Sequence, residues 1–393
     1  MLLRLNLFVM SLLPGFLVML HYYLTHPYRN VSYHLPAMSA KCSSRHLVDI
    51  YLPNEMDPKK KYPVMVFITG GAWIIGYKMW GALMGRALCP HGVILCIPDY
   101  RNFPQANVTE MMFDIDMAIQ WVRSNIENWG GDRDNILLVG QSAGAHLGSM
   151  ICLTKAAAVA RAESLKMVNS FSFSACNSGE DFDLSIERKM SDEDMTSLGG
   201  LHSRTSSLPQ ARVRGFTSQP SGLWKPTDLA GFIPISGVYN LVELTEHFNQ
   251  RGLDRRILDW IFENALEKYS PTIFASQLAE SQTILTHYFP PTAIIHGAND
   301  ASAPCKNGID FHAALNALKI DADLLIYDNM THTDPILEKP FAGEQQLHKD
   351  IYILFRKWGG RRHNFEEFDE SIGPCRRVAP QFCIELARMC NPF

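Results

Sequence analysis

A pentapeptide between an apolar strand and an Ala-rich helix constrains the fold of this chain more than any other sequence feature. Gly140-Gln141-Ser142-Ala143-Gly144 ends the apolar run 135–140 and opens the helical stretch 143–165. This Gly-x-Ser-x-Gly pattern is typical of a sharp strand-to-helix turn that lifts the serine hydroxyl onto a helix N-terminus. The residues that flank the serine must be small because the turn is tight. The pattern therefore predicts Ser142 as a nucleophile at the edge of an α/β sheet.

Strands and helices alternate along the rest of the chain. Short β-rich or apolar runs, bounded by Gly, Pro and polar turns, predict strands at 44–53, 62–70, 92–100, 135–140, 229–240, 291–297 and 323–329. Apolar residues recur three and four apart in 108–129 and 343–358, which predicts helices there. Alternation of this kind predicts an α/β fold with a mostly parallel central sheet flanked by helices.

A serine hydroxyl needs a base to take its proton and a carboxylate to hold that base in the right tautomer. Two downstream residues suit these roles, because each lies just past the C-terminal end of a predicted strand: Asp300 after 291–297 and His332 after 323–329. We expect Ser142, His332 and Asp300 to form a catalytic triad. His296 lies inside its strand and is expected to be a core residue.

The negative charge of a tetrahedral intermediate needs backbone N–H donors beside the nucleophile. Thr69-Gly70-Gly71-Ala72-Trp73 follows an early strand, where the loop that supplies such donors is expected. Gly70, Gly71 and Ala72, with Ala143 after the nucleophile, are therefore the predicted oxyanion donors. The alternative is a simple turn at the end of the strand.

Four segments resemble the isoprenylcysteine methylesterases and, more widely, the hormone-sensitive-lipase-like carboxylesterases. They are TGGAWIIGYKMWG (69–81), PDYRNFPQ (98–105), WGGDRDNILLVGQSAGAHLG (129–148) and THTDPI (331–336). The resemblance implies an α/β-hydrolase that cleaves carboxylic esters without a metal or cofactor. For the nearest part of the family it implies the methyl ester of a prenylated cysteine as substrate. Thr69 departs from the wider lipase-like group, which has His at this position.

Aromatic residues close to these motifs are candidates for an apolar acyl or prenyl pocket. They are Trp73, Trp80 and Phe103. The same residues are equally well explained as core, so both interpretations stay open at this point.

The N-terminal segment 1–30 is predicted to be a hydrophobic anchor. Residues from Leu5 to Leu24 are almost wholly apolar, and about twenty residues of helix would span a hydrocarbon core of roughly 30 Å. Tyr22 and Tyr23 suit an interfacial aromatic belt, and we expect Pro14 only to kink the helix. We expect an enzyme anchored at the endoplasmic reticulum or Golgi membrane, and deletion of residues 1–28 to release a soluble protein. The alternatives are a signal peptide, which the positive Arg4 suits although no small-residue cleavage site follows, and a buried helix of the globular domain.

The remaining chain divides into four expected segments. Residues 31–165 and 227–360 form the two parts of the hydrolase core, and the helices of 241–270 form a lid. Residues 166–226 are Ser-rich and mixed in charge, without a sustained period, which favours a disordered insertion. The tail 361–393 shows no readable pattern, although its cysteines leave a disulfide open.

Composition narrows the functional classes. A net charge of -4 with 19% charged residues offers no electrostatic reason to expect nucleic-acid binding. Nine cysteines without metal-ligand spacing indicate no metal site. We expect a serine carboxylesterase acting on prenylcysteine methyl esters, with a small-molecule or lipid-modified ester and a membrane as partners. The alternatives are a broad carboxylesterase, an arylformamidase, or a hydrolase-fold protein that binds partners without catalysis.

Overall fold

The structure, a computed structural model, describes residues 2–33, 43–178, 223–250, 254–360, 365, 367–369, 371 and 377–391. An eight-stranded sheet runs through these residues in the order β1-β2-β4-β3-β5-β6-β7-β8. The strands are β1 (Tyr28–Ser32), β2 (Leu47–Tyr51), β3 (Tyr62–Ile68), β4 (Ile94–Pro98), β5 (Gly131–Gln141), β6 (Gly231–Ile235), β7 (Thr292–Gly297) and β8 (Ala322–Tyr327). Strands β3 to β8 are parallel, whereas β1 and β2 join antiparallel. The sheet is therefore mostly parallel, as expected.

Each central strand is apolar on both sides because both faces of the sheet are covered. Along β3, Val64, Val66 and Ile68 belong to one buried cluster. Met65 and Phe67 between them belong to a second cluster on the opposite face. The continuous apolar runs of the sequence thus indicate strands that are buried on both faces of the sheet.

Helices cover the two faces of the sheet. They are α1 (Leu2–Ser11), α2 (Leu13–Thr25), α3 (Ala82–Leu88), α4 (Val108–Asn125), α5 (Ala143–Ser178), α6 (Leu241–Gln250), α7 (Arg255–Ile261), α8 (Pro271–Glu280), α9 (Lys306–Ala317), α10 (Glu338–Ala342), α11 (Gln346–Gly359) and α12 (Gln381–Cys390). Buried residues of α4 and α5 lie in the first cluster. Those of α1, α2, α3, α11 and α12 lie in the second, so both chain ends pack on the same face.

The N-terminal segment differs from the single spanning helix expected over 5–24. It forms two helices, α1 and α2, that meet at Leu12, because Pro14 has no N–H to continue the helix of the preceding turn. Phe8, Leu12, Met19 and Tyr23 are buried against the domain. Among the described residues, one helix is long and apolar enough to span a membrane, Ala143–Lys166, and 78% of its apolar window is buried. That helix is α5, which is part of the core.

Several boundaries also differ from the expectation. Strand β1 lies in a segment whose sequence shows no strand pattern. Helix α5 continues to Ser178 rather than ending at 165, since no Gly or Pro follows Gly148 until Gly179. At the other end of the expected insertion Trp224 is fully buried, while residues 179–222 lie outside the described part.

The lid and the tail also show features that the sequence did not predict. The helix expected over 255–269 ends at Ile261, because Glu263 and Asn264 adopt positive φ angles of 55° and 57°. The tail contains α12, which packs against α1 and α10. Cys383 and Cys390 are free thiols, and Cys375 lies outside the described residues.

Candidate active site

Ser142 stands at the tight turn between β5 and α5. Its φ of 55° lies in the left-handed region, which costs a non-glycine residue energy that the surrounding structure must supply. The Ser142 N–H donates to the Ile235 carbonyl at 2.9 Å, which fixes the turn against β6. A Cβ atom at Gly144 would lie 2.1 Å from the Ile68 carbonyl oxygen, so only glycine fits there. The expected strand, turn and helix are all present.

The structure brings together the three side chains of the predicted triad. His332 Nε2 lies 2.8 Å from Ser142 Oγ, and His332 Nδ1 lies 2.8 Å from Asp300 Oδ2. All three residues are at least nine-tenths buried. They meet because β5, β7 and β8 are parallel and end at the same edge of the sheet. This arrangement can pass a proton from the hydroxyl to the imidazole and hold the resulting imidazolium against a carboxylate.

Asp300 is held in its ionised form. Burial raises the pKa of this carboxyl. The charge and the hydrogen bond of His332 lower it, and together with smaller effects they outweigh burial, so the pKa lies below the usual value. The other oxygen, Oδ1, accepts the backbone N–H groups of Ser302 and Ala303 at 2.9 and 2.8 Å. Backbone donors of this kind orient the carboxylate without a further side chain.

His296 is fully buried in β7, which is where the sequence analysis expected a core residue. Its Nε2–H donates to the Ala303 carbonyl at 2.7 Å, and its Nε2 lies 3.6 Å from Asp300 Oδ2. Burial lowers the pKa of His296, so the ring is neutral at physiological pH. It braces the turn that carries Asp300 and lies outside the Ser142–His332 hydrogen bond.

The carbonyl groups of Thr69 and Gly71, in the loop after β3, accept hydrogen bonds from within the fold. The Thr69 carbonyl accepts the Tyr100 hydroxyl at 2.9 Å, and the Gly71 carbonyl accepts the N–H groups of Ile74 and Ile75. Ala72 is held at a positive φ of 49°. Within the described residues, the N–H groups of Gly71, Ala72 and Ala143 have no hydrogen-bond acceptor. Unpartnered N–H groups next to a nucleophile are what an oxyanion requires.

Gly70 lies in close contact with the serine turn. A Cβ atom on Gly70 would come within 2.9 Å of Ser142 Cβ and 2.3 Å of Gln141 Oε1. The four predicted donor residues thus lie in the loop after β3, for Gly70, Gly71 and Ala72, and at the first position of α5, for Ala143.

The three aromatic candidates for the substrate pocket have separate environments. Trp73 is 2% exposed and is a core residue: its ring packs edge-on against Phe262 of the lid, and its Nε1–H donates to His146 Nδ1 at 3.2 Å. Trp80 packs against Phe16 of α2. Phe103 is half-buried and stacks on Trp260 of α7, which is 60% exposed. Phe103 and Trp260 therefore offer an accessible apolar surface, whereas Trp73 supports the lid from below.

Two residues that contact the His332 loop were not predicted from the sequence. Asn391, in the tail, donates from Nδ2 to Thr331 Oγ1 at 3.4 Å and to Thr333 Oγ1 at 3.1 Å, the residues on either side of His332. Gln141 donates from Nε2 to the His332 carbonyl at 3.1 Å. The role of Gln141 could have been predicted, because Gln141 is part of the serine pentapeptide. No local pattern could connect residue 391 with residue 332.

A metal or cofactor site does not stand out in the described part of the chain. There, no group of three or more His, Cys, Asp and Glu side chains is arranged to hold a metal ion.

Comparison with known proteins extends these observations. A family model named BD-FAE matches residues 48–179. Isoprenylcysteine alpha-carbonyl methylesterase ICME of Arabidopsis thaliana is 31% identical, over 100% of this chain and 76% of that relative. Probable isoprenylcysteine alpha-carbonyl methylesterase ICMEL1 of Oryza sativa subsp. japonica is 31% identical, over 97% of this chain and 75% of its own length. The structure of esterase B from Lactobacillus rhamnosis (HN001) has a TM-score of 0.58 at 14% identity, covering 91% and 96% of the two chains. The structural likeness confirms the α/β-hydrolase fold.

Proposed function

The chain belongs to the isoprenylcysteine alpha-carbonyl methylesterase family and is a serine carboxylesterase, and from this premise we propose that it hydrolyses methyl esters of prenylated cysteines. The observation that carries the proposal is the hydrogen-bonded series Ser142–His332–Asp300, with both contacts at 2.8 Å. In a serine hydrolase these roles are nucleophile, base and orienting acid.

The proposed reaction proceeds through an acyl-enzyme. Ser142 Oγ attacks the ester carbonyl while its proton passes to His332 Nε2, and the oxyanion accepts hydrogen bonds from the N–H groups of Gly70, Gly71, Ala72 and Ala143. The imidazolium then protonates the methoxide, so methanol leaves. A water molecule, deprotonated by His332, attacks the acyl-enzyme and releases the free cysteine carboxylate and the Ser142 hydroxyl.

Specificity for a prenyl group is supported by two observations. The relatives that match over almost the whole of this chain are named isoprenylcysteine alpha-carbonyl methylesterases. In addition, Phe103 and Trp260 form a stacked aromatic surface beside the loop that contains Ala72. The Phe103 N–H donates to the Trp73 carbonyl at 2.8 Å, which ties this surface to the oxyanion loop. We propose that the prenyl chain lies along Phe103 and Trp260.

We further propose a membrane-associated enzyme with lid helices α6 and α7 above Trp73. Support for the lid comes from Phe248 of α6 and from Phe262 directly after α7, which both pack edge-on against Trp73. A lipid-bearing substrate also favours a location at a membrane.

The test compares kcat/KM for a farnesylcysteine methyl ester with that for its S-methyl analogue. We expect a ratio of at least about 100, because burial of four carbon groups of the chain contributes about 3 kcal/mol. Ser142→Ala should lower turnover by roughly four orders of magnitude or more and abolish labelling by a fluorophosphonate. Equal rates on the two esters would indicate a broad carboxylesterase. Faster cleavage of N-formylkynurenine, an arylformamide, would indicate an arylformamidase. Absence of labelling by the fluorophosphonate would indicate a binding protein without catalysis.

A further inference from the structure

Helices α1 and α2 expose seven large apolar side chains to solvent. Residues 6–25 contain no Asp, Glu, Lys or Arg, so no charge interrupts this surface. Met10 is 64% and Leu17 is 59% exposed. The exposed members are Leu7, Val9, Met10, Leu13, Leu17, Leu20 and Leu24. An apolar patch of this extent on a folded domain is typical of an interaction surface.

The tail helix α12 adds a second apolar stripe. Phe382, Leu386 and Met389 are spaced four and three apart, so they share one side of the helix, and they are 69%, 39% and 80% exposed. The other side of α12 is already buried through Cys383, Ile384 and Ala387. Packing of α12 onto the domain therefore does not account for its outer stripe.

The two sets of residues lie on neighbouring helices, because α12 packs directly against α1. We call the exposed apolar residues of α1, α2 and α12 the terminal-helix face. We propose that the terminal-helix face docks in the plane of an anionic lipid bilayer, with α1, α2 and α12 lying along the surface. This inference deepens the proposed function, because the same bilayer would deliver a prenylated substrate.

Charge at the border of the face favours an anionic bilayer over a second copy of the chain. At the C-terminal end of α2 lies a groove of about 400 Å³ lined by Arg86, His21 and His26 and by no carboxylate. Among the described residues, no carboxylate lies within ion-pair distance of Arg86. An apolar helical face bordered by the guanidinium of Arg86, which has no ion-pair partner among the described residues, matches the acyl region and the headgroups of an anionic membrane.

The packing of α1 and α2 favours an in-plane arrangement over a spanning one. Helix α2 has 13 residues, about 20 Å of helix, which is shorter than the hydrocarbon core of roughly 30 Å. A Cβ atom at Gly15 would lie 2.5 Å from the Phe341 ring, so α2 is in close contact with the domain. A spanning orientation would break this contact and expose the buried side chains Leu12 and Met19.

The face borders two loops of the active site. Asn391, directly after α12, contacts the residues on either side of His332. Phe16 of α2 packs on Trp80, whose Nε1–H donates to the Ile75 carbonyl in the oxyanion loop. The terminal-helix face is thus connected by direct contacts to the His332 loop and to the loop after β3.

The test is flotation of the full chain with vesicles of phosphatidylcholine, with or without phosphatidylserine. We expect the chain to float, and more of it with phosphatidylserine. Phe382→Ser with Met389→Ser should reduce the floated fraction at least about tenfold, since both side chains leave the acyl region. Ile284→Ser is the matched control, because Ile284 is 60% exposed outside the face. Met389→Ser alone serves if the double variant fails to fold.

Three results of the flotation and extraction measurements would overturn the proposal. They are a full chain that stays in the lipid-free fraction, stripe variants that float as well as Ile284→Ser, and a full chain that resists carbonate extraction as a spanning protein does. A variant that turns a dimer into a monomer without vesicle binding would also overturn it in favour of a second copy. Hydrolysis of a soluble short-chain ester is measured in parallel. A chain that floats but cleaves no ester refutes the proposed function and leaves the docking inference standing.

Discussion

Glu338 is a buried carboxyl within the hydrogen-bonded group that surrounds the His332 loop. Its Oε1 accepts Thr333 Oγ1 at 2.7 Å and Asn391 Nδ2 at 2.9 Å. Burial, and then the nearby charge of Asp334, raise its pKa to about 7, while Arg388 acts in the opposite direction. A carboxyl that must ionise in this position costs folding free energy.

The pKa of Glu338 predicts how stability depends on pH. The pKa of Glu338 is higher in the folded state than in the unfolded state, so its protonation contributes stability that is fully present below the pKa of the unfolded state. This stability is lost as pH rises through the folded pKa of about 7. Glu338→Gln cannot ionise, so we expect it to be more stable than the parent at about pH 8, by up to about 3 kcal/mol, with little gain at about pH 4. Thermal unfolding of both proteins across this range is the measurement. A difference in Tm that does not change with pH would contradict the assignment.

At the scale of elements, the tail helix α12 and the His332 loop form one unit. Asn391 follows α12 directly and contacts Thr331, Thr333 and Glu338. Arg388 of the same helix lies 3.5 Å from Asp334. The tail thus holds the residues next to His332 from outside the sheet.

This contact predicts an effect of the tail on catalysis. Asn391→Ala should lower kcat on a soluble ester roughly tenfold or more with a smaller change in KM, because a displacement of about 1 Å in a catalytic group costs up to about a hundredfold in rate. Gln381→Ala is the control, since its exposed side chain donates a hydrogen bond to Glu385 of the same helix. Labelling of Ser142 by a fluorophosphonate should slow in parallel. An unchanged kcat together with a lowered Tm would mean that Asn391 only stabilises the fold.

Elements differ in how well the sequence predicts them. The core strands were predictable, because a strand buried on two faces is a continuous apolar run bounded by turns. Strand β1 was not, since its partner β2 supplies the stabilisation and its own residues show no alternation. The end of α7 depends on Glu263, whose side chain bonds Thr109 and Tyr269. Such contacts over long sequence separations leave no local pattern.

At the scale of the whole molecule, the N-terminal helices are part of the folded domain. Phe8, Leu12, Met19 and Tyr23 are buried in the cluster that also holds Phe341. Each large apolar side chain contributes about 1.5–3 kcal/mol when fully buried. Their sum is comparable to the total stability of a typical domain, about 5–15 kcal/mol.

Deletion of residues 1–28 should therefore destabilise the enzyme instead of simply releasing it in soluble form. We expect a truncated chain with a lower Tm and a smaller soluble fraction than the parent. Met10→Ser with Leu17→Ser, which changes only exposed positions, should keep the parental Tm. The measurement is thermal unfolding and the soluble yield after centrifugation. A truncated chain with the Tm of the parent would mean that α1 and α2 contribute nothing to the core.

The sequence by itself determined the α/β class, the serine turn, the order of Ser142, Asp300 and His332, and the family, because each depends on short motifs or on periodicity within one element. Only the tertiary structure decided that Trp73 is core, that the apolar N-terminus forms two packed helices, and that the tail reaches the His332 loop. The physical reason is that an apolar or amide side chain has no fixed role until its neighbours are known. Those neighbours come from parts of the chain up to hundreds of residues away.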